Sequence, residues 1–440
     1  MTSRRWPQVK RLNRADTFLA RLDELEITLP FSDPPDVGAL AEPIEVASRQ
    51  APNRFAILPM EGWDGTDDGR PTDLVRRRWA RFGASGAGLV WGGEAFAVQP
   101  DGRANPHQLC AGPSSASDLA ELKSLLHEDQ VAGLQLTHSG RWALTARPGR
   151  AESLLDARRD GAAWTAAELE RLADDYAATA VLAQNAGFDF VDVKACHGYL
   201  QHELLGGAGP LDERARFLRM TIERIRAEAP DLHVGLRLSV FDVVPHHPGP
   251  DGTGEPDGDA SEAFGFLPAD APALLELLDV DLVCVTAGSP YYSPHVQRPA
   301  YFPPSDGYLS PQDPLVSVAR LVDAARDLAL AAPHVTIVAS GLSYLQEWMP
   351  HVASALVHDT GVAIAGIGRL ALSYPDVPAD VLAGRALDGR RLCRTFSDCT
   401  TAPRNGLVSG CWPLDDFYKT RPERVTLAIA KRRAAQATRV

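Results

Sequence analysis

Long apolar runs are absent from this 440-residue sequence. None approaches the length that crosses a bilayer, and Met1 to Ala20 has no apolar core of the kind a secretory leader carries. The expectation is a cytoplasmic protein with no membrane partner. Cysteine is scarce as well: six in the chain, three of them in or beside apolar strands, which argues against a disulfide framework. Positive charge is not in excess. The net charge is −13 and no basic patch offsets it, so no nucleic-acid partner is expected. Arg4, Arg5, Arg11 and Arg14 at one end, and Lys431, Arg432 and Arg433 at the other, are mixed with apolar residues and read as solvated termini. Internal repeats are missing too, apart from one alternation.

That alternation carries the fold. Short apolar runs fall at 54–59, 88–92, 131–137, 188–193, 233–239, 281–286, 335–340 and 362–367. Helical patterns lie between them at 73–84, 118–129, 167–186, 211–228, 270–278, 313–331 and 345–358, with 378–387 after the last. Eight strand–helix units in series predict an α/β fold, a (β/α)8 TIM barrel; a doubly wound sheet is the main rival. The expected organisation is an N-terminal extension over 1–50, the barrel over 51–388 and a cysteine-bearing C-terminal tail over 389–440. Two connections stand out. His246 to Ala260 is rich in Pro, Gly and Asp and is expected to be a mobile loop over the top face. Tyr291 to Pro311 is aromatic and Pro-rich and is expected to be ordered and to line a pocket.

Chemistry gathers after the strands. Phe188 to Val193 reads as a buried parallel strand, so Lys194, His197 and Tyr199 fall at its carboxyl end, where barrels place their reactions. Arg237 sits inside the apolar run VGLRLS and needs an anion or a ring of acceptors. A salt bridge to a barrel carboxylate is the plainer alternative. Gln135 alternates inward in the same way. An amide and a guanidinium in one barrel mouth suit a planar, acceptor-rich heterocycle. Ser340-Gly341 and Gly368-Arg369 follow strands seven and eight, where many barrels bind phosphate. Either glycine cluster alone reads as a turn; the pair points to phosphate.

The segments NRFAILPM (53–60), GRPTD (69–73), QLTHSGR (135–141), FDFVDVKACHGYL (188–200), Arg216–Phe217 and GIGR (366–369) resemble the old yellow enzyme family of flavin-dependent oxidoreductases. The likeness covers about residues 53–384. It implies non-covalent FMN at the top of the barrel and NADH or NADPH as reductant. Carried over by position, Pro59 and Met60 would flank the flavin and Gln135 would bond its pyrimidine edge. Arg237 would sit by N1 and the C2 oxygen. Ser340, Gly341, Gly368 and Arg369 would hold the phosphate.

The substrate end departs from the family pattern. His-x-x-Asn or His-x-x-His usually precedes GYL; here the pair is Lys194 and His197. Both can still donate to a substrate oxygen, but lysine is a point charge, so a different preference among electron-withdrawing groups is expected. Tyr199 matches the family tyrosine that can protonate the substrate carbon. An ion pair of Lys194 with Asp192 or Glu94 is the structural alternative. The stretch Gly206 to Phe217 is shorter than the corresponding loop of typical members, so a more open site is expected on that side.

The tail resembles the four-cysteine segment that holds a 4Fe–4S cluster in larger relatives such as dienoyl-CoA reductase and trimethylamine dehydrogenase. Cys393, Cys399 and Cys411 would be three of the ligands, and Phe396 stands at the second ligand position. The expectation is a lost cluster and no metal, with a three-cysteine cluster or a three-thiolate zinc site as the alternative. The larger relatives carry further nucleotide-binding domains beyond this segment, and a cluster here is expected to have none to wire to.

The resemblance implies an FMN enzyme that delivers hydride to the β-carbon of an activated alkene, such as an α,β-unsaturated carbonyl. The runner-up is flavin-dependent oxidation of an amine or alcohol. Outside flavin turnover stand a Schiff-base barrel lyase using Lys194 and a non-catalytic flavin-binding subunit. The expected partner is a small-molecule substrate, and a homo-oligomer stays open.

Overall fold

A computed structural model describes residues 6–149 and 163–437 of the chain; Arg4 and Arg5 lie outside the described residues. Eight parallel strands close into a ring: β1 (Phe55–Ile57), β2 (Leu89–Val90), β3 (Val131–Thr137), β4 (Phe190–Ala195), β5 (His233–Ser239), β6 (Leu282–Thr286), β7 (Thr336–Ala339) and β8 (Ile364–Ile367). Each pairs with its sequence neighbour, and β8 closes on β1 through Ala365 opposite Phe55. This is the (β/α)8 barrel rather than the open doubly wound sheet.

Local chemistry fixes the connecting helices. Ala166–Asn185 opens on a reciprocal cap between Thr165 and Glu168 and buries Leu172, Tyr176, Ala180 and Ala183 along one face. Pro314–Ala331 opens on a proline whose missing N–H costs nothing there, with the Asp313 carboxylate capping Leu315 N. The main core fills the layer between helices and strands.

A second cluster fills the barrel itself. Ala56, Leu89, Val131, Phe190, Leu282, Val338 and Ile364 point inward, and a hairpin of Ile44–Val46 with Arg49–Ala51 adds Val46 and Ala51 to them. The interior changes character along its axis. Trp91 packs edge-on against Phe190 at 5.2 Å, and its indole N–H donates to Asp192 at 2.7 Å. One step further toward the carboxyl end stand Lys194 and Arg237, opposite each other in register.

Two expectations change. The fourth strand runs over 190–195, not 188–193, because Asp189 is spent on the barrel rim: its carboxylate accepts from Ala132 N at 2.8 Å and pairs with Arg49 at 3.1 Å. Lys194 is therefore an inward-facing strand residue and does not follow the strand. Residues 246–260 do not form a featureless loop. His246–Pro248 and Gly254–Pro256 pair as a short antiparallel hairpin, with Thr253 bridging to Leu309. The tail is helical in part, with Asp398–Arg404, Asp416–Lys419 and Arg424–Ala437. It is anchored to the barrel: Asp415 pairs with Arg77 at 3.0 Å and with Arg81, and Asp64 accepts from Ser409 N at 2.7 Å.

Candidate active site

The carboxyl ends of the strands open into one pocket with about 1130 Å3 of empty space, its mouth included. Pro59, Met60, Gln135, Arg237, Ser340, Gly341, Gly368 and Arg369 all line it, as do Lys194 and His197. Tyr199 lies behind this wall and reaches it through Glu61. Two of the motifs brace each other beneath the pocket. Arg141 of QLTHSGR pairs with Glu203 at 2.6 Å in the helix that follows HGYL. Gly140, at φ +56, lets the chain pass Leu200 where a Cβ would stand 3.0 Å from its backbone.

At one end of the pocket the groups suit a flat heterocycle. The Gln135 amide nitrogen donates to Asp192, which also accepts from Trp91. Burial raises the Asp192 carboxyl above its ordinary range, against the pull of those two hydrogen bonds. With one N–H of its amide given to Asp192, Gln135 has its amide oxygen, an acceptor, to offer the pocket. Arg237 donates from Nη1 to the Pro59 carbonyl at 3.0 Å. It is held by a carbonyl rather than by the expected alternative of a carboxylate, and its buried Nε has no hydrogen-bond partner among the described residues.

The other end suits an anion. Gly341 is left-handed at φ +87, which any larger residue would hold only with strain. A Cβ on Gly368 would meet nothing within 4 Å, so the wall there is bare backbone. The Ser340 hydroxyl donates to the Val285 carbonyl at 2.6 Å. Arg369 donates from Nη2 to the Pro299 carbonyl at 2.6 Å, and its Nη1 is buried without a partner among the described residues. Arg298 stands beside it, bonded to Thr400, with its Nε likewise unpartnered. Burial, then the nearby Arg369, pushes the Arg298 guanidinium down to about 10. Two part-buried arginines side by side, each with a buried guanidinium nitrogen unpartnered among the described residues, call for an anion. Sequence reasoning missed Arg298; the signal available was its place in the 291–311 connection. It also missed the tail, which contributes Cys399, Thr400, Pro403, Arg404 and Ser409 to this wall.

Between the two ends lies a third group of side chains. Lys194 pairs with Glu61, not with Asp192 or Glu94. Asp192 is engaged by Gln135 and Trp91, and Glu94 by Arg78. The same Glu61 carboxylate accepts from the Tyr199 hydroxyl at 2.8 Å through its other oxygen. Tyr199 also meets the Tyr291 hydroxyl at 3.2 Å, and the Tyr291 ring stacks on Trp142 at 3.8 Å. Burial, then Glu61, holds the Tyr199 phenol well above its ordinary pKa. His197 is left-handed at φ +66, a conformation costing about 1–3 kcal/mol. The Ser289 hydroxyl donates to its carbonyl at 2.9 Å and holds the turn. The Gln297 amide nitrogen stands 2.8 Å from His197 Nε2, which therefore accepts, leaving Nδ1 to carry the ring's proton. Burial, then Lys194 and Arg237, keeps His197 neutral far below its ordinary pKa.

The tail cysteines are near enough to influence one another. Burial raises the Cys393 and Cys411 thiols, and Cys399 adds to both shifts. Among the described residues, no group of three or more His, Cys, Asp or Glu side chains is arranged to hold a metal ion.

Residues 39–251 match the family described as NADH:flavin oxidoreductase / NADH oxidase. The likeness to that family spans just under half of the chain. An NADH:flavin oxidoreductase of Gibberella zeae is 28% identical over 222 residues, covering 43% of this chain and 53% of that protein. The structure of a 2-naphthoyl-CoA reductase in complex with 2-naphthoyl-CoA superposes with a TM-score of 0.67 at 18% identity, over 89% of this chain and 58% of that one. The old yellow enzyme homologue of Zymomonas mobilis gives a TM-score of 0.57 at 20% identity, over 79% of this chain and 94% of that one. At such identities the structural likeness is one of fold. The chain spans just over half the length of the curated relative from Gibberella.

Proposed function

We propose that the pocket binds FMN non-covalently and that the protein is an NAD(P)H-dependent flavin oxidoreductase of the old yellow enzyme type. One observation carries this reading: an inward amide, an inward arginine and an anion-seeking arginine pair line a single barrel mouth. The donor set fits the cofactor. Gln135 offers an acceptor for the ring's imide N–H, and Arg237 a fixed cation beside the ring. Arg298 Nε and Arg369 Nη1, with the bare backbone at Gly341 and Gly368, suit the phosphate. Bound there, FMN would carry hydride from NAD(P)H to the substrate.

The proposed substrate is an activated alkene such as an α,β-unsaturated carbonyl. Hydride arriving at its β-carbon moves negative charge onto the carbonyl oxygen. Lys194 Nζ has N–H groups beyond the one given to Glu61, and with His197 Nδ1–H it can donate to that oxygen. Tyr199, which reaches the pocket wall through Glu61, is the proposed source of the proton for the α-carbon. Glu61 favours a second reading, oxidation of an amine or alcohol, because a carboxylate in the pocket can take the proton such a substrate gives up. A Schiff-base lyase fits less well, since Lys194 is engaged by that carboxylate.

Absorbance tests the reading. The purified protein should be yellow and release FMN, not FAD, on heating. It should bleach with NADH or NADPH and recover its colour with an enone in the absence of oxygen. A colourless protein, or one releasing FAD, overturns the cofactor. Bleaching by an amine or alcohol alone, with no recovery on enone, turns the conclusion to the second reading.

A further inference from the structure

The chain as a whole is acidic, at −13, yet the mouth of its pocket is not. Lys194, Arg237, Arg298, Arg369 and Arg404 line it against a single carboxylate among the described residues, Glu61. Four of these cations are accounted for. Arg298 and Arg369 suit the cofactor phosphate, Arg237 stands beside the ring, and Lys194 is paired with Glu61. Arg404 is the cation left over. It ends the tail helix Asp398–Arg404 and reaches the substrate end of the pocket. Its guanidinium carbon lies 5.7 Å from the centre of the Tyr291 ring. The Tyr291 hydroxyl meets that of Tyr199 at 3.2 Å, and Tyr199 donates to the same Glu61 that holds Lys194. The contacts that hold Arg404 are weak ones. Nη2 stands 3.4 Å from the Pro290 carbonyl, at the long limit for such a bond. Nη1 pairs with Asp306, whose side chain is 54% exposed against 12% for the arginine. An ion pair with one partner in water contributes little, so exchanging Asp306 for another carboxylate costs little.

Resting on the oxidoreductase reading above, we infer that Arg404 anchors a carboxylate carried by the alkene substrate, which takes the place of Asp306 on the guanidinium. The substrate class is then an oxo-enoate: an alkene activated by a carbonyl at one end and bearing an ionised carboxylate at the other. The guanidinium fork matches a carboxylate through two parallel hydrogen bonds. Lys194 and His197 hold the carbonyl oxygen, Arg404 holds the far end, and two fixed ends set the orientation of the alkene between them. The excess of positive charge around the mouth raises the local concentration of such an anion. No bond is made or broken at Arg404. It is a specificity residue, supplied to the barrel by the tail.

Acetylacrylate and its methyl ester differ in the charge that Arg404 would read. In the flavin-loaded protein with NADPH, the ratio of kcat/KM for the acid to that for the ester should fall about ten- to hundredfold in Arg404→Gln. The loss should lie chiefly in the KM of the acid. Arg404→Lys should keep part of the preference, and Asp306→Asn, which removes the competing carboxylate, should raise it. Binding supplies a readout free of turnover. Levulinate, the saturated product, should bind about ten- to hundredfold more weakly to Arg404→Gln by calorimetry, and more tightly to Asp306→Asn. A wild-type acid-to-ester ratio in Arg404→Gln overturns the inference, and so does an unchanged affinity for levulinate. An equal loss for acid and ester also overturns it, since Arg404 would then only brace Tyr291. A raised KM for NADPH with the ratio unmoved overturns it in favour of the dinucleotide phosphates. If the wild-type protein reduces neither compound yet holds levulinate through Arg404, the oxidoreductase reading falls and the carboxylate site stands.

Discussion

Lys194 Nζ has three protons to place, and Glu61 takes one of them. The rest can point at a substrate oxygen together with His197. Removing one donor to a developing oxyanion costs on the order of a hundred- to thousandfold. Lys194→Ala and His197→Ala should each slow flavin reoxidation by an enone to that degree while flavin content stays intact. The double variant should lose less than the sum of the two if they act as a unit. Stopped-flow reoxidation with wild-type rates in both single variants would place the oxygen elsewhere. Arg237→Ala removes the fixed cation beside the ring, so the midpoint potential of the bound flavin should fall. An unchanged potential with full flavin content would leave Arg237 a purely structural partner of Pro59. The types of these residues and their place at the carboxyl ends of the strands were legible in the sequence, and Arg237 inside an apolar run was legible as a strand residue. That Lys194 is an inward-facing strand residue was not, because its strand starts and ends two residues later than the apolar run. Their partners were not. Nothing along the chain says that Glu61, rather than Asp192 or Glu94, meets Lys194, because that choice depends on how three strands stagger around a closed ring.

At the scale of elements, the anion end of the pocket is assembled from three separate connections. Arg369 follows β8, Arg298 belongs to the long connection after β6, and Thr400 belongs to the tail. A hydrogen bond to a charged group contributes about 1.5–3 kcal/mol, so Arg298→Ala and Arg369→Ala should each weaken FMN retention roughly ten- to hundredfold. Equilibrium ultrafiltration reads this directly, and retention equal to wild type in both variants would move the phosphate out of this corner. Aromatic and Pro-rich composition flagged 291–311 as an ordered lining, and four of its positions, Tyr291, Gln297, Arg298 and Pro299, do line the pocket. The same kind of composition misled at 246–260. There Gly254 lies flat against the Tyr308 ring, whose atoms a Cβ would approach to 2.4 Å, so glycine marks close packing as well as freedom.

For the molecule as a whole, acid is the predicted weakness. Burial pushes His138 down to about 4, and burial, then His246, pushes His295 down to about 3. An unfolded histidine takes its proton near pH 6.5. Below that pH the unfolded chain binds protons that these two folded imidazoles refuse until about pH 4 and 3. Stability should therefore be full above pH 6.5 and fall as the pH drops, by up to about 1.4 kcal/mol per pH unit for each imidazole. Buried Asp192 and Glu94, whose carboxyls are raised by burial, act in the opposite sense and blunt the loss at the acid end. Urea titrations at a series of pH values should show the decline, and His295→Gln, which can keep a bond to Tyr308, should make it shallower. A pH-independent midpoint between pH 6.5 and 4 would contradict this. The barrel was readable from sequence because eight apolar runs separated by helical patterns admit few closed solutions. The tail was not, since its contacts are polar anchors such as Asp415 to Arg77 and Ser409 to Asp64, scattered far along the chain. Those anchors also order events in time. A ribosome has issued every barrel strand once Ile367 emerges, yet the wall formed by Cys399 to Ser409 is still unmade. A nascent barrel must wait with its mouth open, and cofactor capture becomes one of the last steps in making the protein.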